Sequence, residues 1–347
     1  GESAMALDLE QAYKRMGFDT RVGAASIAEA FYPGIIVTSG DAEDTIETVE
    51  EVSQRVGAVV APSVEACRHT ADRMAVRKQA NEELGLPVLD YEFAATPQEM
   101  HDAVERIGYP CVVKSPTSKD GEGFSFVHSD ADLADAWRSA DRGLGQGAVV
   151  ERFIDFDFEV TILAARSIDP STGELATWFC EPIGTRHREG RLVESWQPAP
   201  LPEAAMDNAR SIAARITGAL ASCGIFSVEM FVSGDDVYFS QVTPRPSRDG
   251  LVTFVTQRIN QFDLQAHATQ RLPIDSTLIS PGAVRFLEGH PSQAALAAAM
   301  AIEEVTVRML GDGTLVLATA DSAAEARQRT DEAVREIYNV DGKPGEN

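Results

Sequence analysis

The most regular alternation of apolar and polar positions lies in residues 224–250, GIFSVEMFVSGDDVYFSQVTPRPSRDG. Phe226, Val228, Met230 and Val232 alternate with Ser227, Glu229 and Phe231, the period-2 spacing of a strand. Ser233-Gly234-Asp235-Asp236 supplies turn residues, and Val237-Tyr238-Phe239 resumes β-branched and aromatic side chains, so the stretch predicts a hairpin. Closed about Asp235, that hairpin sets Glu229 opposite Gln241 across the ladder. Pro244 and Pro246 then end the strand and present Arg245 beside the pair. Elsewhere, helical periodicity predicts helices over 7–16, 49–55, 71–84, 97–107, 201–220 and 253–268, with a last one running through Ile337. The helix over 71–84 carries Arg73, Arg77 and Lys78 on its polar sides, and the one over 97–107 opens on the capping box Thr96-Pro97-Gln98-Glu99 and stops at Gly108. Short apolar runs predict strands at 17–22, 35–37, 58–61, 111–113, 124–127, 148–154, 282–286, 305–309 and 315–319.

Strands alternating with helices over 347 residues suit an α/β protein of two or three domains. A net charge of −24 speaks against a broad nucleic-acid footprint and against attraction to anionic membranes, but a small anion needs only a local nest of donors. Cys67, Cys111, Cys180 and Cys223 lie far apart without a CxxC, and read as free thiols in a reducing, cytoplasmic setting. The sequence offers no apolar run of membrane-spanning length.

Candidate chemistry begins with Lys114. A lysine closing the apolar run Cys111-Val112-Val113 must meet an anion or reach solvent, because burying it unpaired is costly. The glycine-bearing stretch 117–123 follows directly, and such a loop between strands can fold backbone N–H groups over phosphate oxygens. Taken alone, the Glu229–Gln241 pair reads first as a polar contact on a solvated face, and second as oxygen ligands for a divalent cation. His187 has no second His or Cys at useful spacing, and predicts no metal site.

The hairpin followed by Thr243-Pro244-Arg245-Pro246, with IGYPCVVK at 107–114, FDFEVTIL at 156–163 and ESWQP at 194–198, resembles the ATP-grasp enzymes. More narrowly, these stretches resemble the formate-dependent phosphoribosylglycinamide formyltransferases of purine biosynthesis. The resemblance implies an α/β (α+β ATP-grasp) fold: a reduced N-terminal Rossmann-like domain over 1–66, an ATP-grasp domain over 67–272 and a small β-rich C-terminal domain with a closing helix over 273–347. The ATP-grasp domain would divide into a lid, 67–147, and a larger subdomain, 148–272. It also implies phosphoryl transfer from ATP to a carboxylate, giving an acyl phosphate that an amine captures. The implied substrates are formate, or another carboxylate, and an amine such as glycinamide ribonucleotide. Arg73, Lys114, Ser118, Lys119, Gly121, Gly123, Glu151, Phe153, Ile154 and Glu159 would contact ATP, and Glu229 and Gln241 would hold Mg2+. Arg245 and Asp249 would serve catalysis, with Glu47, Arg186 and Arg248 on the substrate side. The implied assembly is a homodimer, with neither nucleic acid nor membrane as partner.

Four positions depart from the family pattern. Glu122 stands where the glycine loop has lysine, Gln241 replaces a second metal glutamate, and Arg248 falls where a substrate-binding Asp is found, with Asp249 next to it. Asp312-Gly313 replaces a Lys…Arg-Arg loop that holds the substrate phosphate, leaving Arg186, Arg188 and Arg308 as substitutes. The family's first strand has no counterpart before the helix over 7–16, so the resemblance implies an N-terminally incomplete version of a longer chain. These departures leave two other readings open: a ligase joining a different carboxylate and amine, and a nucleotide-binding homologue with impaired catalysis.

Overall fold

The computed structural model describes residues 3–39, 44–116, 123–188 and 190–342. At the N-terminal end, β1 (Ile35–Val37) and β2 (Val59–Ala61) pair in parallel. Ala25, Ala28, Val49 and Val52 form a small core with Ile36 and Val60 beside this pair. The first helix, Ala4–Arg15, turns Leu9, Ala12 and Tyr13 into the core of the central sheet instead, and Tyr13 Oη lies 2.5 Å from Thr269 Oγ1. Residues 17–22 form no strand, contrary to their alternation, because no ladder partner lies beside them among the described residues.

A second sheet holds β3 (Tyr91–Ala94), β4 (Cys111–Lys114), β5 (Ser125–Val127) and β6 (Ala148–Arg152) in the antiparallel order β3-β6-β4-β5. Helices Pro97–Ile107 and Leu133–Asp141 cover it, burying Met100, Val104 and Ala136 against Cys111, Val113, Val127 and Val150. Thr96 Oγ1 accepts from Glu99 N (3.2 Å), so the predicted cap starts the first of these helices.

The third sheet has nine strands: β7 (Phe158–Ile168), β8 (Leu175–Phe179), β9 (Ile183–Arg188), β10 (Arg191–Gln197), β11 (Gly224–Ser233), β12 (Asp236–Thr243), β13 (Gly282–Glu288), β14 (Val305–Leu310) and β15 (Gly313–Thr319). Its order is β12-β11-β7-β9-β10-β13-β15-β14, with β8 on β7. The C-terminal strands thus extend the central sheet, joined where Glu194 to Gln197 pair with Arg285 to Gly282. Helix Glu203–Ala219 packs one face of β7 and β11 and helix Gln261–Thr269 the other, so Val160 to Ala165 read as a continuous apolar run broken only by Thr161. The closing helix, Ala323–Asp341, covers β13, β14 and β15.

Of the predicted helices, the one over 71–84 starts two residues late and the one over 253–268 is broken, each time at a side chain that caps better than it continues. Asp72 is extended (φ −97°, ψ 104°) and accepts from Met74 N and Ala75 N, so Val64–Ala71 ends and Arg73–Lys78 starts afresh, followed by a π-helical turn over Gln79–Glu83. Asn260 does the same between Thr253–Thr256 and Gln261–Thr269, accepting from Phe262 N and Asp263 N. Short polar side chains compete with the helix for its own backbone donors, and at these positions they win.

Candidate active site

Lys114 ends β4 beside β6, where Val112 pairs with Glu151 and Lys114 with Val149. Lys114 Nζ lies 2.8 Å from Glu151 Oε2, and Arg77 Nη1 lies 2.6 Å from Glu151 Oε1. Each carboxylate oxygen therefore has its own cation, in a pocket where Glu151 is 4% exposed and Arg77 6%. Burial by itself would raise the Glu151 carboxyl, but Arg77, Lys114 and Arg73 outweigh it and hold it at about 2. Arg73, one turn before Arg77, lies within electrostatic reach of both Glu151 and Glu229; burial lowers its pKa against the pull of the two carboxylates. Phe153 and Ile154 follow β6 in the strap to β7, with the Phe153 ring edge-on to Phe126 (5.7 Å). Gly123 closes the base of the glycine loop: its φ is +70° and a Cβ would stand 2.8 Å from Ser115 Cβ. Ser118, Lys119, Gly121 and Glu122 lie outside the described residues.

The hairpin brings Glu229 opposite Gln241, as the alternation predicts, but by a route that the alternation does not contain. Its turn is Gly234-Asp235, with Ser233 facing Asp236. An unbroken ladder from that turn would put Glu229 opposite Ser240. A bulge between Glu229 and Met230 takes Ser240 out of the pairing, so Phe239 faces Met230 and Gln241 faces Glu229. On the other side of β11, Glu229 pairs with Thr161 of β7.

Thr161 Oγ1 donates to Asp249 Oδ2 at 2.6 Å, which carries the Asp249 carboxylate to the flank of Glu229. Asp249 opens a single 3-10 turn, Asp249–Val252, whose first carbonyl accepts from Ser195 Oγ of the ESWQP stretch (3.0 Å). Gly250 is required there, since a Cβ would meet Gln261 Oε1 at 2.1 Å. Asp249 is buried, whereas Arg248 is exposed with its guanidinium over the Phe286 ring at 5.5 Å. Of the two neighbours, then, the carboxylate faces the cleft. Burial and the nearby Asp249 and Glu159 carboxylates push Glu229 up to about 7. Burial likewise raises Asp249 above the usual carboxylate range.

Glu159 reaches this group from β7, with its Oε2 at 2.7 Å from His187 Nδ1 on β9. Burial would lower the His187 pKa, but the hydrogen bond and charge of Glu159, helped by Asp249 and Glu229, raise it to about 9. His187 therefore meets the acidic cleft as an imidazolium, and Arg77 joins the cation set. Neither role appears in the sequence reading. The four-residue spacing of Arg77 from Arg73 was a usable signal, since it puts both on one helix face. No sequence signal aligns His187 with Glu159, because register between strands that far apart is a tertiary outcome.

The donors around Glu229 and Gln241 are oxygens, the chemistry that suits Mg2+. Among the described residues, the one trio of His, Cys or acidic ligand atoms within 4.8 Å is His101, Asp102 and Glu105, which sit on the outer face of a lid helix. The cleft carboxylates do not themselves converge that tightly, which fits an ion completed by phosphate oxygens.

Substrate-side candidates scatter. Arg245 is half-buried and, with Arg73, Gln241, Arg68 and Glu47, lines a 1030 Å3 cavity reaching to β1 and the first two helices. Glu47 is exposed on Ile46–Val56 and faces Arg68 at 3.5 Å. Arg186 lies outside that cavity's lining and pairs with Glu194 (3.0 Å), a fully buried carboxylate that Arg327 also grips through Nε (2.9 Å) and Nη2 (3.0 Å). The ESWQP stretch is thus a joint between the closing helix and the Asp249 turn. Gly311-Asp312 is a bare two-residue turn between β14 and β15, and Arg308 pairs with Asp8 and lies over Phe254.

An ATP-grasp domain model matches residues 79–262. The formate-dependent phosphoribosylglycinamide formyltransferase of Corynebacterium efficiens is 47% identical over 313 residues, covering 86% of this chain and 78% of that protein. Its counterpart from Paraburkholderia xenovorans is 39% identical over 339 residues, covering 93% and 84%. A solved structure of glycinamide-RNase-transformylase T from Mycobacterium tuberculosis superposes with a TM-score of 0.81 at 31% identity, over 97% of this chain and 98% of that one. Carboxyaminoimidazole ribonucleotide synthase from Aspergillus clavatus, complexed with ATP, shares the fold at a TM-score of 0.84 and 18% identity, over 98% and 97%. With relatives this similar along most of its length, the chain belongs to the ATP-grasp family and within it to the formate-dependent phosphoribosylglycinamide formyltransferases.

Proposed function

We propose that this protein uses ATP to activate formate and passes the formyl group to the amine of glycinamide ribonucleotide. A formate oxygen attacks the γ-phosphorus and ADP leaves; the amine then attacks the formyl carbon, phosphate leaves, and the amine loses a proton. The observation that carries this reading is the pairing of two opposed charge sets across one cleft. Arg73, Arg77 and Lys114 lie on one side and Glu229, Gln241, Asp249 and Glu159 on the other. Phosphoryl transfer asks for positioning and charge neutralisation more than for acid–base work. Lys114 and Arg73 would meet the phosphates, and Glu159 the ribose. Glu229 and Gln241 would hold Mg2+, which supplies further neutralisation of phosphate charge when bound.

Titrating ATP calorimetrically tests the nucleotide half: Lys114→Ala should bind about 10–100-fold more weakly, since a charge-assisted contact to phosphate is lost. Equal affinities would remove Lys114 from the site. An ADP-release assay tests the reaction, with turnover expected only when formate and glycinamide ribonucleotide are both present.

A second reading, a ligase for a different carboxylate and amine, is favoured by the fate of two of the three cations that would replace the phosphate loop. Arg186 is taken by Glu194 and Arg308 by Asp8. Absence of ADP release with formate and glycinamide ribonucleotide, in a protein that binds ATP, would reject that substrate pair; ADP release with another carboxylate and amine would then select this second reading over a homologue with impaired catalysis.

A further inference from the structure

The bulge at Ser240 decides whether Gln241 or Ser240 faces Glu229, and among the described residues the outer side of the edge strand β12 carries only an isolated bridge, from Val88 to Phe239. An edge strand slips or frays unless its outward groups are engaged. Two contacts engage them, one beside the bulge and one within it. Phe239 N donates to Pro87 O at 2.8 Å, and Arg77 Nη2 donates to Ser240 O at 3.2 Å. The same Arg77 places Nη1 2.6 Å from Glu151 Oε1, and its guanidinium lies 5.5 Å from the centre of the Tyr91 ring. Tyr91 in turn is the ladder partner of Glu151.

We propose that Arg77 is a positioning residue that holds the hairpin register: one fork secures the Ser240 carbonyl in the bulge, the other is anchored on Glu151, and Gln241 is thereby kept facing Glu229. This rests on the reading of Glu229 and Gln241 as the cation-holding pair, and it adds a link that neither residue supplies. Lysine cannot replace the arginine. It could neutralise Glu151, but it has no planar fork to serve a carboxylate and a carbonyl at once. The arrangement also makes Glu151 of β6 and the hairpin one mechanical unit, since both hang on a single guanidinium.

The test uses amide hydrogen exchange on the whole, ligand-free chain, so that it does not depend on the substrates. In Arg77→Lys, amides of 237–243 should exchange about tenfold faster than in the wild type, with those of the closing helix unchanged. Unchanged exchange across 237–243 would overturn the proposal, and so would a rise spread evenly over the molecule. If Arg77→Lys does not fold, Glu151→Gln slackens the same tie from its anchored end, and the same local rise is expected there; its absence again overturns the proposal. A second readout separates this from the functional reading. Titrated with Mn2+ in the presence of a non-hydrolysable ATP analogue, Arg77→Lys should bind the ion several-fold more weakly with thermal stability close to wild type. Failure of the wild type itself to bind the ion would strike the functional reading, while the exchange result would still stand for or against Arg77.

Discussion

Glu151 and Glu229 both lie within electrostatic reach of Arg73 and live in opposite surroundings. Glu151 is gripped by Arg77 and Lys114, and those cations more than offset its burial, leaving it at about 2. Glu229 is half-buried, and with its burial the neighbouring Asp249 and Glu159 carboxylates push it up to about 7. The lid side is thus neutralised within the protein, whereas the hairpin side holds negative charge that a cation would relieve. The contrast separates two charge sets that share Arg73 as a neighbour: Arg77 and Lys114 are already paired with Glu151, whereas Glu229 is crowded by acids.

The comparison can be broken most severely at Glu151. Glu151→Leu would leave Arg77 and Lys114 as buried cations without their carboxylate, costing about 3–5 kcal/mol of stability. Chemical denaturation of wild type and variant would check it, and a loss below about 1 kcal/mol would mean that the two cations reach solvent instead.

A smaller effect separates the two acids by pH. Glu151 is depressed below its ordinary 4.5, so its contribution is present above that value and fades as pH falls toward 2. Glu229 is raised from 4.5 to about 7, so the folded protein holds the extra proton; its contribution is present below pH 4.5 and is lost as pH rises through 7. In metal-free protein, wild type should lose on the order of 2 kcal/mol between pH 5 and 8 relative to Glu229→Gln, which cannot ionise. Parallel stability curves for the two proteins over that range would show that Glu229 is not crowded by Asp249 and Glu159.

The smallest expected effect comes from restoring charge at the partner position. Gln241→Glu adds a carboxylate opposite Glu229, which should cost about 1 kcal/mol of stability without metal and tighten Mg2+ binding about tenfold. Thermal denaturation with and without Mg2+ reads both signs at once. If Mg2+ affinity does not change, the pair does not face the ion.

Local patterns carried the elements well. The hairpin, the Thr96 cap and the strand ending in Lys114 each follow from neighbours in sequence, and each appears in the structure. The failures share one cause. Asp72 delays the start of the helix predicted over 71–84, and Asn260 interrupts one whose apolar spacing runs straight through it, because a cap competes with helix continuation. Residues 17–22 alternate like a strand, but a strand also needs an edge to join. Arg77 reads as a surface charge on a polar helix face and is instead buried on Glu151.

What the sequence determined by itself is therefore the kind of chemistry: a lysine closing an apolar strand, a glycine loop, and a hairpin bearing Glu229 and Gln241. What the tertiary structure decided is which side chains meet. The Ser240 bulge, the Thr161 bridge that carries Asp249 to Glu229, and the His187–Glu159 contact all depend on register between strands remote in the chain. Side-chain periodicity constrains each strand alone. A one-residue shift in pairing moves every side chain to the other face, so the burial of Val237, Phe239 and Val242 in the assembled core fixes which face of β12 turns inward.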